Sequence, residues 1–141
     1  MILEDMVTYL RGYTALTTIS GIPSTVFSAA KIFPIQAPTG TVMPYLIVEV
    51  AEGSRGKMAA QSTESNPMIR ITVDGGPNQS VACGKIMEKA QKALENFRGL
   101  MGGTSDAFFT CSEIRSWAGM SGSCRFQMNV SGRYVETRQV P

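Results

Sequence analysis

The chain has no histidine. That single absence removes Ser-His-Asp and Cys-His nucleophile pairs, and with them every histidine metal site. Its three cysteines, Cys83, Cys111 and Cys124, are widely spaced and form no CxxC. An odd, scattered set argues against a disulfide framework, and each reads as a small buried hydrophobe. Charge is sparse at 17%, and a formal net charge of +2 is too small to call for nucleic acid. No apolar run approaches the roughly 18 residues of a membrane span; Tyr45–Val50 comes nearest and is interrupted by Glu49. The opening residues MILEDMVTYL carry Glu4 and Asp5 where a signal peptide would carry Lys or Arg. A soluble protein made in the cytoplasm is expected.

Catalytic motifs are missing too. Gly84-Lys85 offers the end of a phosphate-binding GxxxxGK[ST] loop, but Gln79 stands at the first glycine position and Ile86 at the hydroxyl. The glycine-rich runs DGGPNQS and GLMGGTSD read as turn chemistry. Glu49, Glu52, Asp74 and Glu113 are scattered over separate elements, and Asn129-Val130-Ser131 matches a glycosylation acceptor by chance inside a strand. Nothing specific supports an enzyme, a metal or a cofactor.

What is present is a 43% hydrophobic chain of 141 residues, enough for one domain over 1–141 with a core needing no staples. Leu3, Met6, Val7, Leu10 and Tyr13 recur at helical spacing and predict a helix over 2–19, closed by Gly21-Ile22-Pro23. KIFPIQAP and MPYLIVEV predict two strands, most simply a hairpin, with Pro34 confining the first to an edge. In the second, Leu46, Val48 and Val50 share one face and Tyr45, Ile47 and Glu49 the other. MIRITV alternates Ile69, Ile71 and Val73 inward with Arg70 and Thr72 outward. A second helix is expected over 79–98, with Cys83, Met87, Ala90, Leu94 and Phe97 on one face. AFFTCSEIRSW and CRFQMNVSGRYVETRQ close the chain as two strands joined across AGMSGS. The fold expected is α+β: a two-layer, mostly antiparallel twisted sheet of about five strands packed by two main helices, in the order α-β-β-β-α-β-β.

Between MPYLIVEV and MIRITV lies a polar, glycine-bearing stretch with neither period, expected as a long loop at about 53–66. Loops of that length in compact domains are mostly functional or disordered. Arg55 and Lys57 lie in it, while Arg125, Arg133 and Arg138 are on or after the last strand. Solvated surface is the plain reading of all five, and contact with a partner or with passing DNA the sharper one. Met58 and Met120 fall in expected loops, where an adaptable thioether suits docking, and Trp117 ends a strand as a core lid or an interface anchor.

This order, and the run from Ala37 to Val50 (APTGTVMPYLIVEV) followed by IRITVDGG and a closing aromatic strand, resembles the tail-completion (tail terminator, tail-to-head joining) proteins of tailed bacteriophages. The chain departs from that pattern in its long TESNP excursion and in RGLMGGTSD. The resemblance implies a non-enzymatic virion protein of the tail neck, made in the host bacterium. It implies a ring, six-membered in that family, that caps the tail tube and joins it to the head connector around a channel for DNA. The partners implied are further copies of the chain, the tail-tube protein and the connector or adaptor protein, with genomic DNA passing close by and no membrane. Residues 53–66 would then be an assembly loop, and Arg55, Lys57, Met58, Glu64, Trp117, Met120, Arg133 and Arg138 candidate subunit or tube contacts, with Arg55 and Lys57 also facing the DNA channel. The alternatives are another neck or tube component, such as a connector adaptor or tube subunit, and a small ligand-binding regulatory domain.

Overall fold

The computed structural model describes the backbone of residues 2–57, 62–101, 105–119 and 122–137, and the side chains of the same residues except 52–57, 62–66, 105 and 136–137. Helix α1 spans Ile2–Arg11 and buries Leu3, Met6, Val7 and Leu10, the stripe that its spacing predicts. It is shorter than expected. At Gly12 the chain leaves the helix, its N–H shared between the carbonyls of Thr8 (3.1 Å) and Tyr9 (3.2 Å). The threonine-rich residues beyond sustain only the single turn α2, Thr14–Thr17, as β-branched residues next to a glycine should. Helix α3, Ser80–Leu94, buries Cys83, Ile86, Met87, Ala90, Ala93 and Leu94. It stops short of 98 because Glu95 is extended and Asn96 adopts a left-handed φ of 57°, a conformation that Asn tolerates better than most residues.

The strands are β1 (Ile32–Pro34), β2 (Tyr45–Lys57), β3 (Ser62–Gly75), β4 (Arg98–Met101), β5 (Ser105–Cys111), β6 (Arg115–Ala118) and β7 (Cys124–Thr137). They form one seven-stranded sheet in the order β1-β2-β3-β7-β5-β4, with β6 also on β7. Five strands were too few for two reasons. RGLM pairs with β5, so part of the glycine-rich segment is strand. AFFTCSEIRSW is two strands, interrupted at residues 112–114. There the Ser112 N–H donates to Asn129 O (2.8 Å) and the Ser112 hydroxyl accepts from Asn129 N–H (2.9 Å), so a side chain replaces one rung of the ladder. Strand β7 meets β3 along one edge; on the other edge it meets β6 through its first half and β5 through its second.

The sheet is mixed, not wholly antiparallel. β1 runs parallel to β2, pairing Ile32 with Leu46 and Pro34 with Val48, where a hairpin was expected. After Pro34 the chain turns at Ile35, at a φ of 69° that a β-branched residue rarely adopts, and Gln36 N–H donates back to Pro34 O (2.7 Å). It re-enters at Tyr45 in the same direction. Pro34 is at a sheet edge, as its missing amide hydrogen requires.

The stretch expected as a loop at 53–66 is strand on both sides of its tip. β2 and β3 stay paired from Gly53↔Pro67 to Lys57↔Thr63, after a bulge between Val50 and Glu52. Residues 62–65 pair with β7 at 134–137 as well. Backbone pairing on two edges makes these polar residues strand; their side-chain pattern gives no sign of it.

Leu46, Val48, Ile69, Ile71, Val73, Met128, Val130 and Phe109 cover one sheet face and join α1 and α3 in one core. The sheet curls about that core, since α1 touches β1 and β2 near one edge and β4 at the other. Polar groups fasten α1 in place. Tyr9 Oη donates to Ala93 O of α3 (3.0 Å), Arg11 donates to Ile32 O on the edge strand (2.6 and 3.1 Å), and Tyr134 Oη donates to the Asp5 carboxylate. Val50, on the face it shares with the buried Leu46 and Val48, is 52% exposed. β1 ends at the Val48 row, so β1 does not reach Val50 on its outer side.

Candidate interaction surface

Alternation puts the other half of each strand on a face that none of the described helices covers. Registered rows cross it: Tyr45–Asp74–Arg125–Trp117, then Ile47–Thr72–Gln127–Arg115, then Glu49–Arg70–Asn129. Further along β7, Arg133 lies beside Phe108, which lies beside Arg98. Side chains link along these rows. Arg125 clasps Asp74, Gln127 Nε2 donates to Thr72 Oγ1 (3.2 Å), and Arg70 stands 3.6 Å from Glu49. Thr72 is buried, and so is Ile47, shielded by the edge residue Phe33 and the chain after it.

The face is electrostatically uneven but internally paired. The hydrogen bonds that Arg125 donates to Asp74 raise its pKa further, so that guanidinium stays charged at every accessible pH. Burial, then the Asp74 carboxylate, raises the Tyr45 phenol above its ordinary value. Arg98 lies with its guanidinium carbon 4.7 Å from the Phe108 ring centre, a cation–π arrangement. Arg98, Phe108 and Arg133 line an open hollow of about 280 Å³ with Asp106 and Val135. Leu100, on the adjoining edge strand, is 66% exposed. Among the described residues no group of three Cys, Asp or Glu could hold a metal. Aromatic faces, guanidinium groups and paired carboxylates suit the recognition of another surface.

Of the residues expected to make contacts, Trp117 and Arg133 share this face. They do not form one site: Trp117 is opposite Arg125 and Arg133 is eight residues along, about 26 Å away. Trp117 is 45% exposed, which makes it a surface group and not a core lid. The backbone of Arg55, Lys57 and Glu64 lies in the outer β2–β3 ladder, opposite Ser65, Thr63 and Gly56 respectively. Met58, Met120 and Arg138 fall outside the described residues. Arg98, Leu100 and Phe108 were missed: residue 98 was expected to end the second helix and GLM beside two glycines reads as a turn, so neither was seen as a partner of the strand that carries Phe108. Arg70 was read as outward-facing, but its partner Glu49 comes from a strand whose register only the fold fixes.

No protein-family model and no curated protein matches the chain. Its fold does match a solved chain: in the structure of the virion of a native gene transfer agent particle, one chain superposes with a TM-score of 0.70 at 9% identity, over 92% of this chain and 91% of that one. At that identity the likeness is one of fold. A protein from Akkermansia muciniphila solved without its transmembrane region overlaps 66% of this chain at a TM-score of 0.28 and carries no argument.

Proposed function

We propose that this chain is a structural component of a tailed-phage-like virion, a tail-completion protein that forms a closed ring on the end of the tail tube and joins it to the head connector around a DNA channel. The observation that carries this reading is the fold shared over nearly the whole length with a chain of a gene transfer agent virion. The order of elements that prompted the resemblance to tail-completion proteins adds to it.

The surfaces suit the task. A closed ring of identical subunits needs two different patches on each copy, one meeting the other on its neighbour. The helix-free sheet face, with Trp117 and the Arg98–Phe108–Arg133 hollow, is one extended surface. The outer β2–β3 ladder, continuing for six rows or about 20 Å beyond the bulge, is a second. In this reading the ladder reaches a neighbouring subunit, the tube or the connector, and Arg55 and Lys57 face the channel. A stable contact buries on the order of 800 Å² per partner. No chemistry is required of the protein; its work is geometric.

Light scattering over a wide concentration range, with negative-stain imaging of the same fractions, tests the proposal. Discrete rings that do not lengthen, or a monomer that added tail tubes recruit, support it. Filaments from the chain alone make it a tube subunit, and a monomer that tubes fail to recruit overturns the tail assignment.

A further inference from the structure

Two of the three cysteines meet. Cys124 opens β7 directly opposite Gly75, the last residue of β3. Cys83 sits in the first turn of α3, whose start is fixed nearby: Gln79 accepts from Gly76 N–H (2.7 Å) and donates to Met43 O (3.2 Å). A Cβ placed on Gly75 would land on Cys83 Sγ and 3.0 Å from Cys124 Sγ, so the two sulfurs converge on the space that this glycine leaves empty. Cys111 is elsewhere, opposite Val130 and about 20 Å along β7 from Cys124. With no third or fourth ligand among the described residues, the pair is not a structural metal site.

We propose that Cys83 and Cys124 are a closable dithiol: a small-molecule disulfide such as oxidised glutathione converts them to an intramolecular disulfide that ties α3 to the start of β7. Cys124, the more exposed of the two, reacts first. Its thiolate attacks one sulfur of glutathione disulfide, and one glutathione leaves as its thiolate. Cys83 then loses its proton to solvent and attacks the Cys124 sulfur, which expels the second glutathione. Two S–H bonds are lost, one S–S bond is formed, and glutathione disulfide is reduced to two glutathione thiols. Burial and the neighbouring Cys124 push the Cys83 thiol up to about 12, so ring closure is the slow step and the mixed disulfide on Cys124 precedes the product. The glutathione pool of a cytosol holds the pair reduced, and an oxidising exterior closes it. The chemistry is independent of the proposed assembly.

The full-length reduced chain is incubated in glutathione buffers of increasing oxidised fraction, then unfolded and alkylated. Intact mass and peptide mapping locate what remains. The expected result is the loss of two thiols and two hydrogen atoms, a Cys83–Cys124 linked peptide, a Cys111 still open to alkylation, and a higher denaturation midpoint than the reduced chain. Cys111→Ala should behave identically, while Cys83→Ala should stop at a glutathione adduct on Cys124 with no gain in midpoint. Three thiols surviving in the most oxidising buffer would overturn the proposal. So would a wild-type adduct on Cys124 that never resolves, or a link through Cys111.

Discussion

Arg125 holds Asp74 from the neighbouring strand with two parallel hydrogen bonds, Nε to Oδ1 at 2.6 Å and Nη2 to Oδ2 at 3.2 Å. The carboxylate is 14% exposed and the guanidinium 48%, so the pair is half in water. Bidentate geometry favours it and exposure discounts it. Asp74→Ala is expected to lower stability by about 1–2 kcal/mol in urea unfolding. In a double-mutant cycle with Arg125→Ala, a coupling near zero would show the pair to be positional only.

Two glycines should respond differently to the same methyl group. In Gly75→Ala the new Cβ meets the Cys83 sulfur, and about 1–3 kcal/mol should be lost. Truncating the obstacle with Cys83→Ala should restore most of that. In Gly132→Ala the Cβ meets the Phe108 carbonyl, with the Phe109 Cα 2.9 Å away. Backbone cannot be truncated, so β5 must part from β7. Chemical denaturation should show a larger loss that no second side-chain substitution recovers.

Alkaline pH should weaken the reduced protein through two of its thiols, the buried Cys83 and the half-buried Cys111. Burial, then the charge of Glu95, pushes Cys111 from 9.0 to about 12, and Cys83 is raised to a similar value. Below pH 9 both thiols are protonated whether the chain is folded or not, and their contribution is fully present. Between 9 and 12 the unfolded chain sheds its protons first, so stability falls by up to about 1.4 kcal/mol per pH unit for each thiol. Comparing Cys111→Ala with the wild type across that window isolates one of them. Parallel curves would refute the assignment.

Assembly and folding should separate at Trp117. It is exposed, so Trp117→Ala should change stability by no more than about 0.5 kcal/mol while weakening ring formation or recruitment to tubes. Unchanged recruitment would remove it from the interface.

Removal of residues 54–65 is a harsher test of the outer ladder. It deletes rows that pair with β2 and, at 62–65, with β7. The rows between the helices and the sheet remain, so the shortened chain should fold at reduced stability by circular dichroism and fail to join tubes. Normal joining would mean that the ladder takes no part.

Helices and helix-covered strands were legible in the sequence, because one buried face imposes a period: Ile69-Ile71-Val73 and the Cys83–Leu94 stripe read correctly. Elements held by backbone pairing alone were not. Residues 53–57 and 62–66 have the composition of a loop and become strand because they pair with each other and because β7 offers 62–65 a second edge. The parallel entry of β1 depends on an unusual turn at Ile35 that no propensity favours. The meeting of Cys83 and Cys124 was invisible for a related reason: it depends on a glycine that sequence reads as an ordinary turn residue. Trp117 and Arg133 could be picked singly, but their separation along β7 could not.

The position of β7 has a consequence for biosynthesis. Among the described strands β3 and β5 are joined through β7, so before residue 124 is made β1-β2-β3 and β4-β5 are separate partial sheets with open edges and β6 has no strand partner in either. On the ribosome those edges stay open until the strand between them emerges, and the nascent chain then closes in one late, long-range step. Topologies of this kind fold slowly and are exposed to misassociation while they wait. Synthesis rate and chaperone supply, more than the stability of the finished domain, should therefore set how much of this protein reaches its folded form.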